Sequence, residues 1–191
     1  MRELSLHLLD LLQNAIEAGA HTIDISLSED TVLDRLTIVT ADDGRGMDAG
    51  LAAQAADPFT TTRTTRRVGL GLALLAAACE RCDGHLTIDS APGQGTTVTA
   101  RFRLSHIDLA PLGDIAGTLT AVIAANPEIE ITYTHSLDQR QFTLSTREMR
   151  ARLGDVPLSA PEVLQWLREY VATAMANIRT EAQWRGTHEV S

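Results

Sequence analysis

Residues 10–20 read Asp10-Leu11-Leu12-Gln13-Asn14-Ala15-Ile16-Glu17-Ala18-Gly19-Ala20, and their spacing sets a carboxylate and a carboxamide one helical turn apart. Leu4, Leu8, Leu11, Leu12, Ala15 and Ile16 recur with a period of about 3.6 residues, which predicts a helix over 2–18. Gly19 ends it in the C′ position that tolerates a left-handed backbone. Asp10 and Asn14, four apart, project from one face. The Asn14 amide oxygen suits a hard cation such as Mg²⁺. The Asp10 carboxylate suits the orienting or deprotonation of a water. Taken alone, the pair reads more simply as the solvated stripe of an amphipathic helix.

Beyond this helix the chain alternates. Ile23–Leu27 and Leu36–Thr40 carry apolar residues at every second position and read as half-buried strands, with Ser28–Arg35 as a charged turn between them. Asp42-Asp43-Gly44-Arg45-Gly46 follows the second strand directly and leads to Met47. Glycines at alternate positions let a backbone approach a planar ligand, and a carboxylate at a strand end can accept from an exocyclic amino group. An ordinary acidic turn is the plain alternative. Asp57–Arg67, with five threonines and three arginines, is expected to be mobile. Gly69-Leu70-Gly71-Leu72 then opens a helix running to Cys82, where glycines would give phosphate oxygens access to free N–H groups. Strands at His85–Ser90 and Thr96–Leu104 flank Ala91-Pro92-Gly93-Gln94-Gly95.

Near Ser105 the pattern changes, and the chain is divided into residues 1–104 and 105–191. The second part is read as a helix over Leu109–Ala125, a hairpin of Ile129–Thr134 and Gln141–Ser145, a short helix over Thr146–Leu153, and a last helix from Pro161 to Gln183. Its stripe of Val163, Leu164, Leu167, Tyr170, Val171 and Ala174 is expected to dock on a core rather than on a partner.

Composition narrows the function. A formal net charge of −9 disfavours a nucleic-acid partner, whose backbone selects basic surfaces. No apolar run is long enough for a membrane span, and the N-terminus lacks the pattern of a secretory signal. Two cysteines provide no disulfide framework, so a cytoplasmic protein is expected. Cys79 and Cys82 form a CxxC, read here as buried and inert because no further metal-ligand spacing accompanies it. His7 is read as a neutral histidine packed in the first helix, with an influence on Asp10 as the alternative.

The order of the pieces carries more than any one of them. Asp10-x-x-x-Asn14, Asp42-x-Gly44-x-Gly46, Asp57-Pro58-Phe59-Thr60-Thr61-Thr62-Arg63, Gly69-Leu70-Gly71-Leu72 and Ser90-x-x-Gly93-x-Gly95-Thr96 follow one another over residues 3–103. This series resembles the GHKL ATPase domain of histidine kinases, DNA gyrase and MutL, with its N box, G1 box, lid, G2 box and closing Gly-Thr strand. The resemblance implies an α+β fold: a two-layer α/β sandwich, the Bergerat ATP-binding fold, here with a small α+β C-terminal extension. It implies ATP and Mg²⁺ as ligands, with Asn14 on the metal, Asp42 on adenine, Thr96 backing Asp42, and Gly44, Gly46 and Met47 about the base. It implies that Gly69, Leu70, Gly71 and Leu72 pass the phosphates and that Thr62 and Arg63 lie in the lid, with Arg63 near the γ-phosphate. Asp10 takes the catalytic position, and Glu17 shares the Asn14 face.

Departures from the pattern shape the expected output. Hydrolysing members carry glutamate where Asp10 stands, so slow hydrolysis is expected. Arg67 occupies the place of the first G2 glycine in histidine kinases, which would bring Arg66 or Arg67 toward phosphate. Nothing ahead of the first helix matches the phospho-acceptor hairpin of a histidine kinase. The reading leans to an enzyme: a slow Mg-dependent ATPase, or a serine/threonine- or histidine-type phosphotransferase acting on a separate, unidentified protein. The alternative is a non-catalytic, ATP-switched binding module, in line with similar short bacterial GHKL proteins associated with redox enzymes. A homodimer is left open.

Overall fold

The computed structural model describes residues 3–56 and 70–186. Its elements run α1 (Leu4–Glu17), β1 (Thr22–Asp30), β2 (Arg35–Asp42), α2 (Ala49–Ala56), α3 (Leu70–Arg81), β3 (His85–Ser90), β4 (Thr96–Arg103), α4 (Ile115–Ala125), β5 (Glu130–Leu137), β6 (Arg140–Ser145), α5 (Thr146–Leu153) and α6 (Pro161–Gly186). The strands form one sheet in the order β3-β4-β2-β1-β5-β6. All neighbours are antiparallel except β1 and β5, which run parallel. The fold is α+β, a mixed sheet with helices layered on it.

Alternation within the strands decides which face is covered. Ile23, Ile25 and Leu27 of β1, Leu36 and Ile38 of β2, Val98, Ala100 and Phe102 of β4, and Ile131 and Tyr133 of β5 are all buried. The registers pair these positions across the sheet, so they share one face, and the helices pack there. Leu4, Leu8, Leu11 and Leu12 of α1 meet that face, as do Leu72, Leu75 and Cys79 of α3 and Leu119 and Ile123 of α4. Val163, Leu167 and Val171 of α6 belong to the same cluster, so these members of the stripe expected on the last helix are docked on the core, while Tyr170 is exposed.

The segments on either side of residue 104 therefore share one sheet and one core. Glu130 N–H donates to the His21 carbonyl 2.8 Å away at the start of the parallel pairing. A second link departs from the sequence reading: the helix expected from Leu109 begins only at Ile115. Leu109–Asp114 is not helical, and two of its carbonyls have another task. Leu4 N–H donates to Pro111 O (2.9 Å) and Ser5 N–H to Leu112 O (2.8 Å), satisfying donors that the first turn of α1 leaves open. The N-cap residue Glu3 makes no side-chain capping bond, and these carbonyls take that place. Asp114 then caps α4 by accepting from Gly117 N–H at 2.8 Å.

At the far end of β1, an ionic cluster around the buried Glu29 fastens α6. Glu29 is 7% exposed and His135 is fully buried. His135 Nε2 lies 2.9 Å from Glu29 Oε1, its Nδ1 is 3.2 Å from the Tyr133 hydroxyl, and Arg179 of α6 donates to Glu29 Oε1 (2.7 Å) and Oε2 (3.0 Å). Burial alone would raise the Glu29 carboxyl, but these donors more than offset it and hold it below its ordinary value.

Candidate functional site

A hollow of about 720 Å³ opens between α1, the ends of β2 and β4, the loop after β2, and the start of α2. That size falls in the range of about 300–1,000 Å³ typical of small-molecule sites. Its lining includes Asn14, Asp42, Gly46, Met47, Leu72 and Thr96, so six residues singled out from motifs far apart in the sequence meet at one place. Asp10 and Gly44 lie beside the hollow rather than on its lining. Leu70 is exposed at the start of α3. Thr62, Arg63, Arg66, Arg67 and Gly69 lie outside the described residues.

The loop 42–47 is held open by hydrogen bonds on both sides. Toward α1, Arg45 N–H donates to Ala18 O at 3.0 Å and its guanidinium to Glu17 O at 2.6 Å. Asp43 Oδ1 accepts from the N–H groups of His21 (2.7 Å) and Thr22 (2.9 Å). Those bonds hold the Asp43 carboxyl below its usual value. Toward β4, Gly93 N–H donates to Arg45 O at 2.8 Å, and the Ser90 hydroxyl accepts from Met47 N–H at 2.8 Å. Ser90 Oγ also lies 3.0 Å from Gly95 O and 2.9 Å from Thr96 Oγ1. Gly46 sits at φ 65°, and a Cβ there would run into the Ala91 carbonyl, so only glycine lets the loop pass so close to the 91–95 turn.

Asp42 faces Thr96 across the β2–β4 register and sits on the wall of the hollow. Its Oδ1 accepts from Gly44 N–H at 2.9 Å. Burial pushes its carboxyl above the usual range, against the pull of the Gly44 and Thr96 N–H groups. A desolvated carboxylate of this kind favours a ligand that brings a hydrogen-bond donor. Thr96 approaches it with its N–H, while the Thr96 hydroxyl turns to Ser90.

Asp10 is half-buried on α1 against the first turn of α3. A Cβ on Gly71 would lie 2.9 Å from Asp10 Oδ2, so the glycine makes room for that carboxylate. Burial raises the Asp10 carboxyl. His7, one turn earlier, is buried with its Nδ1 unpartnered, and burial lowers it to about 4. It is the neutral, packed histidine expected from the sequence. Cys79 and Cys82 are buried free thiols, with Cys79 pushed up to about 12 by burial, which disfavours the reactive thiolate.

Several contributors escaped the sequence reading, Thr40, Arg45 and Val98 of the lining among them. Ser90, quoted only as part of a motif, ties the base loop to the closing strand. The helix α2 brings Leu51 to the hollow, with Asp48 accepting from Leu51 N–H at 2.8 Å as its cap. An aspartate three residues before Leu51 was the signal available in the sequence.

Among the comparisons with known proteins, the family model and one relative match about this half of the chain, and the others extend beyond it. The family model described as histidine kinase-, DNA gyrase B-, and HSP90-like ATPase matches residues 2–106. The non-motile and phage-resistance protein of Caulobacter vibrioides is 36% identical over 110 residues, covering 53% of this chain and 13% of that protein. The DNA mismatch repair protein MutL of Halobacterium salinarum is 33% identical over an alignment of 208 residues, covering 88% of this chain and 31% of that protein. The chain thus spans less than a third of the length of either relative. A crystal structure of the N-terminal domain of a DNA repair protein superposes with a TM-score of 0.52 at 18% identity, over 76% of this chain and 53% of that one, a likeness of fold.

Proposed function

Because the chain belongs to the histidine kinase-, DNA gyrase B- and HSP90-like ATPase family of ATP-binding domains, we propose that its hollow takes Mg-ATP and that a slow phosphoryl transfer, to water or to a partner protein, is its output. The observation that carries the reading is the placing of Asp42 and Asn14 on the lining of one hollow, although 28 positions separate them in the sequence. Asp42 would accept from the exocyclic amino group of adenine, with Met47, Val98 and Leu72 offering apolar contact. Guanine carries a carbonyl at that edge and would face the carboxylate with another acceptor.

Charge supports a metal-bound nucleotide. Glu17, Asp42 and Asp48 line the hollow and Arg45 is the one cation on its described lining, so a bare polyphosphate would meet net negative charge. The Asn14 amide oxygen would hold Mg²⁺, which neutralises phosphate charge and favours departure of the γ-phosphoryl group. Arg63 in the lid would add a second positive charge. Asp10, lifted by burial, would take the proton of the attacking hydroxyl or water.

One observation favours the switch reading instead. Asp10 lies beside the hollow, tucked against Gly71, and aspartate reaches one methylene less far than glutamate. In that case ATP would order the chain around the pocket and present a surface to a partner without transferring phosphate. Phosphate release from purified protein with Mg-ATP separates the two. We expect slow release that Asp10→Asn lowers about 100-fold or more, with nucleotide affinity kept. Absence of release and of transfer in the wild type would assign the switch.

A further inference from the structure

The face of the sheet turned away from the helices carries a group that nucleotide binding does not use. Leu36 of β2 and Ala100 and Phe102 of β4 point into the core, so the alternate residues Arg35, Arg101 and Arg103 point outward. The register sets Arg35 directly opposite Arg103, and His85 of β3 opposite Arg101. All four line one recess of about 350 Å³ at the start of β2 and the end of β4. Asp42 and the hollow lie at the other end of β2, roughly 23 Å along the strand and on the helix-covered face.

Like charges directly opposite in a ladder repel, and the carboxylates present do not relieve them evenly. Asp34 and Asp83 both go to Arg103: Asp34 Oδ2 accepts from its Nε at 3.2 Å and Asp83 Oδ2 from its Nη1 at 3.2 Å. Asp34 is further engaged by the N–H (2.8 Å) and hydroxyl (2.7 Å) of Ser105, and His106 Nε2 stands 3.8 Å from Asp83. Arg35 and Arg101 have no ion-pair partner among the described residues. Arg101 Nη1 instead lies 3.4 Å from His85 Nε2. A guanidinium only donates, so that ring nitrogen is the acceptor and brings no opposing charge. The lining thus sets three arginines against two aspartates, a local positive excess in a chain of formal net charge −9.

We propose that this recess binds a phosphate group, held between the guanidinium forks of Arg35 and Arg101. The two are diagonal neighbours, because Arg101 faces Thr37, two positions along β2 from Arg35. Diagonal residues of a ladder stand about 7–8 Å apart, within the joint reach of two arginine side chains. Each fork presents a pair of N–H donors to a pair of oxygens. A carboxylate has two oxygens and is filled by one fork. A phosphate monoester has three terminal oxygens and free phosphate four, so a phosphate group bridges both forks. Its negative charge then offsets the repulsion between Arg35 and the facing Arg103.

The probe is inorganic phosphate, titrated at constant ionic strength into the full chain without nucleotide and followed by amide NMR shifts. The shifts should concentrate at Arg35, His85 and Arg101 and saturate near about 1 mM, as for a small oxyanion on two charged forks. Arg35→Gln and Arg101→Gln, both on exposed side chains, should each weaken this binding at least about tenfold. Arg152→Gln, on an exposed arginine of α5, should leave it unchanged. Calorimetric Mg-ATP affinity should be the same in both recess variants, so the outcome here is separate from that of the nucleotide reading. A phosphoserine peptide that binds at least about tenfold more tightly than phosphate would assign the group to a modified partner side chain; no gain would assign the free ion. Shifts that spread over the surface or fail to saturate, or binding indifferent to Arg35→Gln and Arg101→Gln, would overturn the proposal.

Discussion

Below the ends of β2 and β4, the loop after β2 uses its backbone groups to hold a polar hollow open; at the β6 edge of the sheet, β6, α5 and α6 leave a largely apolar groove. The hollow is shaped by directed bonds: Arg45 to Glu17 O, Asp43 to two N–H groups, and Ser90 to Met47. The helix beside the groove is fastened by one ionic cluster, in which the exposed Arg179 reaches Glu29, itself buried beside His135. The contrast shows what each end is suited to receive. Directed donors and acceptors select a small polar ligand by its pattern of hydrogen bonds. An apolar groove gains from area covered and selects by shape.

If the two ends are independent in this way, damage to them should separate. The largest expected effect concerns α1, which underlies the hollow and packs into the common core. His7 has a folded pKa of about 4 against an ordinary 6.5, so the unfolded chain binds its proton more readily. Its contribution therefore leaves stability intact above the ordinary value and lowers it as pH falls from 6.5 toward 4, by up to about 3 kcal/mol. Thermal melts across that interval should flatten in His7→Phe, and an unchanged acid slope would show that the ring is not held neutral.

Next comes the α6 anchor. Glu29→Gln removes the negative charge between His135 and Arg179 and should cost about 1–3 kcal/mol of unfolding free energy. Denaturant titration measures this, and ATP affinity should not follow. A loss of affinity would join the two ends and break the contrast. The smallest effect is expected at the metal: Asn14→Ala should leave stability alone and remove most of the gain in ATP affinity, about tenfold, expected from Mg²⁺. A Mg²⁺ dependence that survives would move the metal ligand elsewhere.

Much of the nucleotide end is legible in the sequence because its signals are local. The period of Leu4, Leu8, Leu11 and Leu12 marks α1, Gly19 at φ 77° marks its end, and the alternation in Ile23–Leu27 marks β1. The spacing of Asp42, Gly44 and Gly46 marks the loop. What was not legible depends on distant partners or lacks a period. The α2 segment Ala49-Gly50-Leu51-Ala52-Ala53-Gln54-Ala55-Ala56 has too few large residues to show a face. Nothing in β5 announces that it lies parallel to β1, because pairing is decided across a hundred residues of chain. The segment 109–114 resembles a helix start by composition, yet Pro111 and Leu112 give their carbonyls to α1 instead. The anchor of α6 was likewise hidden, since Glu29, His135 and Arg179 stand in three separate elements.

Asp42 is the position on which the account rests, and isothermal titration calorimetry with Mg-ATP tests it most directly. The wild type should bind one ATP per chain and bind GTP far more weakly. Asp42→Asn keeps the shape and the bond from Gly44 N–H but turns an acceptor into a donor toward adenine, and should lower ATP affinity about 100-fold. ATP bound equally well by wild type and Asp42→Asn, or no ATP bound at all, would contradict the assignment of the hollow.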